Sequence, residues 1–272
     1  MKSMVDMKTG FAGGGKMAEA IIKGLRNSGV GNIIVYDPSA ERLKYLKKSY
    51  GVRTVKSNLD VLKLAEIIVL AVKPADIKNV CKDIKENLTR DKLVISIAAG
   101  ITLAFLRYNL GTDRIVRVMP NAPAFVGEGM TVIASSPGTK KRDIAVTGKI
   151  FSQVGDVLVL DEKNIDAVTA LSGSGPAFIS LFIEALVDGA VRMGIARDDA
   201  SRLAIKTAEG TLALLNSGIT TSRLRDMVTS PAGTTAEGLY VMEREGFKGL
   251  VIEAVEEACE KASDIAHQVS GG

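Results

Sequence analysis

The densest group of residues able to do chemistry stands near the start of the chain, in Gly10-Phe11-Ala12-Gly13-Gly14-Gly15-Lys16-Met17-Ala18. Gly13, Gly15 and Ala18 fit the spacing G-x-G-x-x-[G/A]. The first glycine permits a tight turn, the second lets backbone approach a pyrophosphate, and the small third residue lets helix and strand pack closely. A helix opening at Lys16 and Met17 turns free N–H groups and the positive end of its dipole toward phosphates. The pattern follows an apolar run, precedes a helical one, and is followed 24 residues after Gly13 by Asp37. A carboxylate at that place accepts hydrogen bonds from a ribose 2′-hydroxyl and repels a 2′-phosphate. Ser39, Arg42 and Lys44 come next and offer partners to a 2′-phosphate, or simply form the solvated face of the following helix. On these residues alone the choice between a phosphorylated and an unphosphorylated dinucleotide stays open.

Three further loops close apolar runs: Ala71-Val72-Lys73-Pro74, Ala98-Ala99-Gly100 and Met119-Pro120-Asn121-Ala122-Pro123. In an open α/β sheet the carboxyl ends of the strands border the ligand crevice. Pro74 stops the strand before it, and Gly100 allows close approach. Two hydroxyl-rich loops lie further on, Leu171-Ser172-Gly173-Ser174-Gly175-Pro176 and Thr229-Ser230-Pro231-Ala232-Gly233-Thr234-Thr235. Each leads into a helical pattern. Such a loop can cap its helix or cradle a carboxylate on backbone N–H groups.

The elements that must position these groups fall into two halves. Apolar runs at 9–12, 33–36, 67–72, 93–98, 115–119, 130–134 and 157–160 are short, mostly β-branched and unbroken by charge, as strands covered on both faces are. Helical patterns at 16–26, 40–49, 75–84, 102–110 and 139–153 alternate with them. This alternation predicts an α/β fold with a doubly wound, largely parallel Rossmann-type sheet. Beyond Asp161 strand signals vanish, and 164–171, 176–193, 198–216, 221–228, 234–245 and 250–267 read at helical period. The boundary is expected at 162–163, giving a dinucleotide domain at 1–162 and an all-helical domain at 163–272. Pro176 is placed at the first helical position. The helix it opens is apolar over most of its circumference, which calls for burial on nearly all sides and most easily by a second subunit.

Composition narrows the function. Hydrophobic residues make up 46% and charged residues 24% of 272, enough to build the cores of one or two domains. A net charge of +4 with no long basic run argues against a nucleic-acid partner. With 27 glycines, no Trp and 4% aromatics, tight turns near a ligand are favoured over stacked bases or sugars. The single His267 near the end sets aside histidine catalysis and a His-built metal site. Cys81 and Cys259 match no metal or disulfide spacing and read as reduced core or interface thiols in a cytoplasmic setting. The N-terminus MKSMVDMKTG lacks a signal core. No apolar stretch is expected to reach the roughly 18–20 residues a bilayer needs, so no membrane partner is expected.

Taken together, these segments resemble the pyrroline-5-carboxylate reductase family, from Thr9 to about Ala262. The most specific parts are residues 171–194 (LSGSGPAFISLFIEALVDGAVRMG) and 228–235 (VTSPAGTT). The resemblance implies NAD(P)H-dependent hydride transfer to the C=N bond of 1-pyrroline-5-carboxylate, giving L-proline. It implies NADPH as the coenzyme with NADH as the alternative, a homodimer through the helical domain, and often higher assembly. Carried over by position, Gly13, Gly14, Gly15, Lys16, Met17 and Ala18 would hold the pyrophosphate, with Asp37 and Ser39 at the ribose. Ala71, Val72, Lys73, Pro74, Ala98, Ala99, Gly100 and Asn121 would line the nicotinamide side. Ser230, Gly233, Thr234 and Thr235 would receive the substrate, with Ser230 and Thr235 as the catalytic hydroxyls and Thr235 nearest the ring nitrogen. Lys16 stands where the family commonly has Asn or Gln, and Ala232 replaces a glycine of the usual S-P-G-G-[TA]-T.

That chemistry suits a chain without a usable histidine. A protonated cyclic imine is already electrophilic, so positioning suffices, whereas the alkoxide of a ketone reduction usually calls for a proton donor. The 3-hydroxyacid dehydrogenase type shares both halves but needs a lysine where this chain has Ile179. A non-catalytic dinucleotide sensor would have no need of Ser230 and Thr235.

Overall fold

The computed structural model describes residues 7–270. Residues 1–6, part of the stretch expected to lack a signal core, lie outside the described residues. The first half runs β1 (Thr9–Ala12), α1 (Lys16–Asn27), β2 (Ile33–Tyr36), α2 (Ala40–Tyr50), β3 (Arg53–Thr54), α3 (Asn58–Leu64), β4 (Ile67–Leu70), α4 (Ile77–Lys85), β5 (Leu93–Ser96), α5 (Leu103–Leu110), β6 (Ile115–Met119), β7 (Gly129–Ser135), α6 (Lys141–Phe151) and β8 (Gly155–Val159). The strands form one sheet in the order β3-β2-β1-β4-β5-β6-β7-β8. Neighbours are parallel except β6 and β7, which are antiparallel.

Strand alternation divides the core between the two faces. Phe11, Val35, Val69 and Ile95 pack with Ile21, Ile22 and Leu25 of α1, Leu46 of α2 and Phe151 of α6. Ile68, Leu70 and Val94 point the other way, onto Ile77, Cys81 and Ile84 of α4 and Leu103 and Leu106 of α5. Each fully buried aliphatic side chain contributes about 1.5–3 kcal/mol, so covering both faces stabilises the central strands strongly. β8 departs from the expectation of two covered faces. It is an edge strand, and Leu158 and Val159 are exposed. At the opposite edge, β3 and α3 were not expected: two and seven residues give too short a window for either period to register.

Helices begin where side chains cap them. Ser39, Ser57 and Thr102 accept from backbone N–H groups three residues on, each replacing a partner that the first turn lacks. At the amino ends of β4, β5 and β6, Arg114 holds the buried Asp143 through two hydrogen bonds of 2.8 and 2.6 Å. This guanidinium keeps the Asp143 carboxyl below its ordinary range against the opposing effect of burial.

After β8 the chain is helical: α7 (Ile165–Val168), a π turn (Thr169–Gly173), α8 (Gly175–Arg192), α9 (Arg197–Asn216), α10 (Thr221–Val228), α11 (Thr234–Arg244) and α12 (Phe247–Ser270). Pro176 is the second residue of α8, not the first. Because a π turn leads straight into α8, the proline removes one backbone donor, and bonding resumes at Ala177, whose N–H donates to the Ser174 carbonyl at 2.9 Å. The chain forms two compact units, one up to Gly173 together with the residues from Ala258 onward, the other Ser174–Glu257. Residues 162–173 belong with the sheet for a physical reason. Buried Arg117 on β6 pairs with Glu162 at 3.0 Å and Asp166 at 3.7 Å, and Ile165 packs on Val132 and Ala134.

In the second unit α8 packs on α9 through Val187, Ala200 and Ala204, and Phe182 lies 5.8 Å from Phe247 between ring centroids. Much apolar surface stays uncovered, including Ile179, Leu181, Phe182 and Leu186 on α8 and Met193 at its C-cap. The expectation that no stretch reaches bilayer length is corrected here. The π turn splices α7 to α8, so Glu162–Arg192 is one helix of 31 residues, long and apolar enough to cross a membrane by length and composition alone.

Candidate active site

In the first unit the expected residues gather at one edge of the sheet. The parallel strands β1, β2, β4, β5 and β6 all end there, and order reverses between β1 and β4, which is where open α/β sheets bind ligands. Gly13 turns the chain at φ +98° beside the end of β4, and a Cβ there would lie 2.6 Å from the Ala71 carbonyl oxygen. Only glycine fits. Gly15 has nothing within 4 Å of its missing Cβ, and no side chain caps α1, which starts at Lys16. An open glycine before an uncapped helix start is a cradle fitted to a pyrophosphate.

Asp37 is not a free carboxylate. Its Oδ2 accepts from the Gly14 N–H at 2.8 Å and its Oδ1 from the Ser39 N–H at 2.9 Å, so it fixes the glycine loop to the start of α2. Arg42, expected as a phosphate partner, is engaged elsewhere. Its Nε donates to the Gly14 carbonyl at 2.5 Å, and its Nη2 pairs with Glu19 at 2.5 Å and reaches the Gly15 carbonyl at 3.3 Å. Tyr45 and Tyr50 donate their hydroxyls to Glu19, each at 2.8 Å. Burial works against the Glu19 carboxylate, but the Arg42, Tyr50 and Tyr45 hydrogen bonds prevail and hold it below its ordinary range. Glu19 is not among the residues that type and spacing single out. An acidic residue in the first turn of α1 was the available signal, but its partners lie more than twenty residues away.

The loops after β4, β5 and β6 complete this edge. Ala71 donates its N–H to the Ala12 carbonyl at 2.8 Å, holding the Ala71–Pro74 loop beside the glycine loop. Lys73 and Ala99 are exposed on it, while Ala98 and Gly100 are buried. Gly100 is accounted for by packing as well as by any ligand: at φ +73°, a Cβ there would press on Ile265 of α12. Asn121 spends both ends of its carboxamide on the protein, accepting from the Met130 N–H at 2.8 Å and donating to Ser172 Oγ at 3.1 Å. It therefore holds the loop after β6 to the π turn. A cavity of about 840 Å³ lies at the other edge of the sheet, around Ile67, Leu93 and Arg114, and contains none of the expected residues.

The second unit holds the other group. Ser230-Pro231-Ala232-Gly233 is a turn closed by the Gly233 N–H on the Ser230 carbonyl at 3.0 Å. Pro231 takes its second place, and Ala232 its third with φ +54°, the one positive φ of a non-glycine among the described residues. A turn of this hand favours glycine there, which gives a physical reason for the glycine that the family resemblance leads one to expect. α11 follows with Gly233 at its N-cap and no side-chain cap, so the N–H groups of Thr234, Thr235 and Ala236 precede the first intrahelical donor, Glu237, which bonds back to Gly233. Thr235 is half-buried, whereas Ser230 and Thr234 are exposed. Hydroxyls beside free N–H groups at a helix start can hold a carboxylate and a neighbouring nitrogen without a charged side chain.

Fold and site together define a Rossmann-type dinucleotide-binding protein with a helical second unit. A family model described as pyrroline-5-carboxylate reductase dimerisation matches residues 162–265, and one described as NADP oxidoreductase, coenzyme F420-dependent, matches 8–100. Pyrroline-5-carboxylate reductase of Pisum sativum is 40% identical over 260 residues, covering 94% of this chain and 95% of that protein. The Escherichia coli (strain K12) protein of the same name is 40% identical over 267 residues, covering 96% and 99%. The crystal structure of Plasmodium falciparum pyrroline carboxylate reductase with NADP bound superposes with a TM-score of 0.88 at 36% identity, covering 97% of this chain and all of that one. The chain belongs to the pyrroline-5-carboxylate reductase family.

Proposed function

We propose that the protein reduces the C=N bond of 1-pyrroline-5-carboxylate with NAD(P)H to give L-proline, the last step of proline biosynthesis. The observation that carries this reading is the hydroxyl-bearing turn 230–235 at the uncapped start of α11, in a chain whose other unit offers an open glycine cradle. The names of its relatives, and the NADP bound to the Plasmodium protein, support it. The dinucleotide domain is assigned to 1–162 and the helical domain to 163–272, a division supported by the dimerisation match from 162.

Gly13, Gly14, Gly15 and the first turn of α1 (Lys16, Met17, Ala18) would hold the pyrophosphate, with Asp37 and Ser39 toward the ribose. Ala71, Val72, Lys73, Pro74, Ala98, Ala99 and Gly100 would face the nicotinamide, and Asn121 supports them by anchoring its loop. Bound there, the reduced dinucleotide supplies hydride. The free backbone N–H groups of Thr234 and Thr235 take the substrate carboxylate, while the Gly233 N–H stays on the Ser230 carbonyl and holds the turn. The Thr235 hydroxyl hydrogen-bonds the ring nitrogen, with Ser230 beside it, as the π pair of the protonated C=N bond becomes the amine lone pair. No group of the protein has to deliver a proton in that step, so catalysis rests on positioning. NADPH is the coenzyme of this reading, and NADH is the alternative that Asp37 favours.

Two copies pair through the helical domain. The uncovered apolar side chains of α8 and the family match for dimerisation support this over a membrane partner, with higher assembly of dimers as the family implies. Free Cys81 and Cys259 fit a cytoplasmic setting. The test is steady-state oxidation of NADPH and of NADH, each against racemic pyrroline-5-carboxylate. Imine-dependent consumption with proline formed one for one is expected. A chain that binds the dinucleotide but never consumes it with the imine is a sensor, and the reading fails.

A further inference from the structure

The polar string beside the glycine loop does more than brace it. The Gly14 peptide is held from both sides, its N–H by Asp37 and its carbonyl by Arg42. Arg42 is in turn paired with Glu19, and its guanidinium lies 5.1 Å from the Tyr45 ring centroid. Tyr45 and Tyr50 fix the second oxygen of Glu19, so the carboxylate cannot swing away from Arg42 without losing two phenol hydrogen bonds. Charges thus alternate along the string: Asp37 negative, Arg42 positive, Glu19 negative. Arg42 is the cation that shares Gly14 with Asp37, and Glu19 both neutralises it and leaves its other donors on the Gly14 and Gly15 carbonyls.

We propose that Glu19 is a positioning residue that sets coenzyme preference by holding Arg42 back from the 2′ position of the adenosine ribose. This rests on the reading of the chain as an NAD(P)H-dependent reductase. With Glu19 charged, a 2′-phosphate arriving at Asp37 and Ser39 meets one cation already paired and two carboxylates. Removing the Glu19 charge frees one positive charge and relieves one negative within the range over which such charges interact. The unphosphorylated coenzyme carries nothing at that position to respond.

Glu19→Gln keeps the shape and an acceptor for the tyrosines while removing the charge. The readouts are the Kd values for NADPH and NADH by fluorescence titration and the kcat/KM ratio for the two coenzymes. The variant is expected to shift both ratios toward NADPH by about 2- to 5-fold at low salt, with the shift shrinking as ionic strength rises. Arg42→Gln combined with Glu19→Gln is expected to abolish the shift. A purely structural Glu19 would weaken both coenzymes alike and lower Tm, and an unchanged ratio of that kind overturns the proposal. If the wild-type chain binds neither coenzyme, the functional reading fails and this one with it. If it binds both and the Glu19→Gln ratio stays put, only the role of Glu19 fails.

Discussion

At the scale of single residues, Thr235 carries the sharpest expectation. Its hydroxyl stands in the first turn of α11, half-buried, beside N–H groups that no side chain caps. A hydrogen bond to the ring nitrogen that tightens in the transition state is worth about 1–3 kcal/mol, or roughly 5- to 150-fold in rate. Thr235→Ala is therefore expected to lower kcat/KM for the imine by that factor while dinucleotide Kd stays within about twofold. Wild-type turnover in this variant would remove Thr235 from the mechanism, and an equal loss of coenzyme binding would move it to the dinucleotide side. Residue types and spacing made Gly13, Gly15 and Asp37 legible, because a turn, a helix start and the end of the next strand are local patterns. The engagement of Arg42 was not legible. Glu19 on α1 meets Arg42, Tyr45 and Tyr50 on α2 only through the packing of the two helices, which sequence spacing does not encode.

At the scale of elements, the loop before α11 holds the one positive φ of a non-glycine among the described residues, at Ala232. A left-handed conformation costs a residue with a Cβ about 1–2 kcal/mol, and glycine gives back part of the gain through its freer unfolded chain. Ala232→Gly should therefore stabilise the protein by about 0.5–1 kcal/mol, seen as a higher midpoint in urea with an unchanged slope. A variant less stable than the parent would show that the Ala232 methyl makes compensating contacts. The same comparison against the imine tests whether that methyl narrows the substrate turn: a lower KM in Ala232→Gly is expected. Most elements were readable because their apolar periods run long enough, as in β1, β4 and α9. β3 and α3 escaped because they are too short. The splice of α7 into α8 escaped because a π turn keeps the helix going through Ser172 and Gly173, where small residues read as a loop.

At the scale of the whole molecule, the account requires a second copy of the chain. Phe182, Leu186 and Gly189 share one face of α8 by helical spacing, and Gly189 has nothing within 4 Å of its missing Cβ inside a single chain. Sedimentation at micromolar concentration should show a dimer or larger. Gly189→Leu, which meets no clash within the chain, should weaken association without unfolding the monomer. A stable, fully active monomer of the parent protein would refute the paired helical domain.

The proposed function rests on direct transfer of hydride from the reduced dinucleotide to the imine carbon. Reduced coenzyme carrying deuterium at both nicotinamide C4 positions, incubated with the protein and pyrroline-5-carboxylate, tests it most directly by mass spectrometry of the product. The account predicts proline one mass unit heavier, with the label on C5 and one proline per coenzyme oxidised. Unlabelled proline, or coenzyme oxidised without proline, would contradict it.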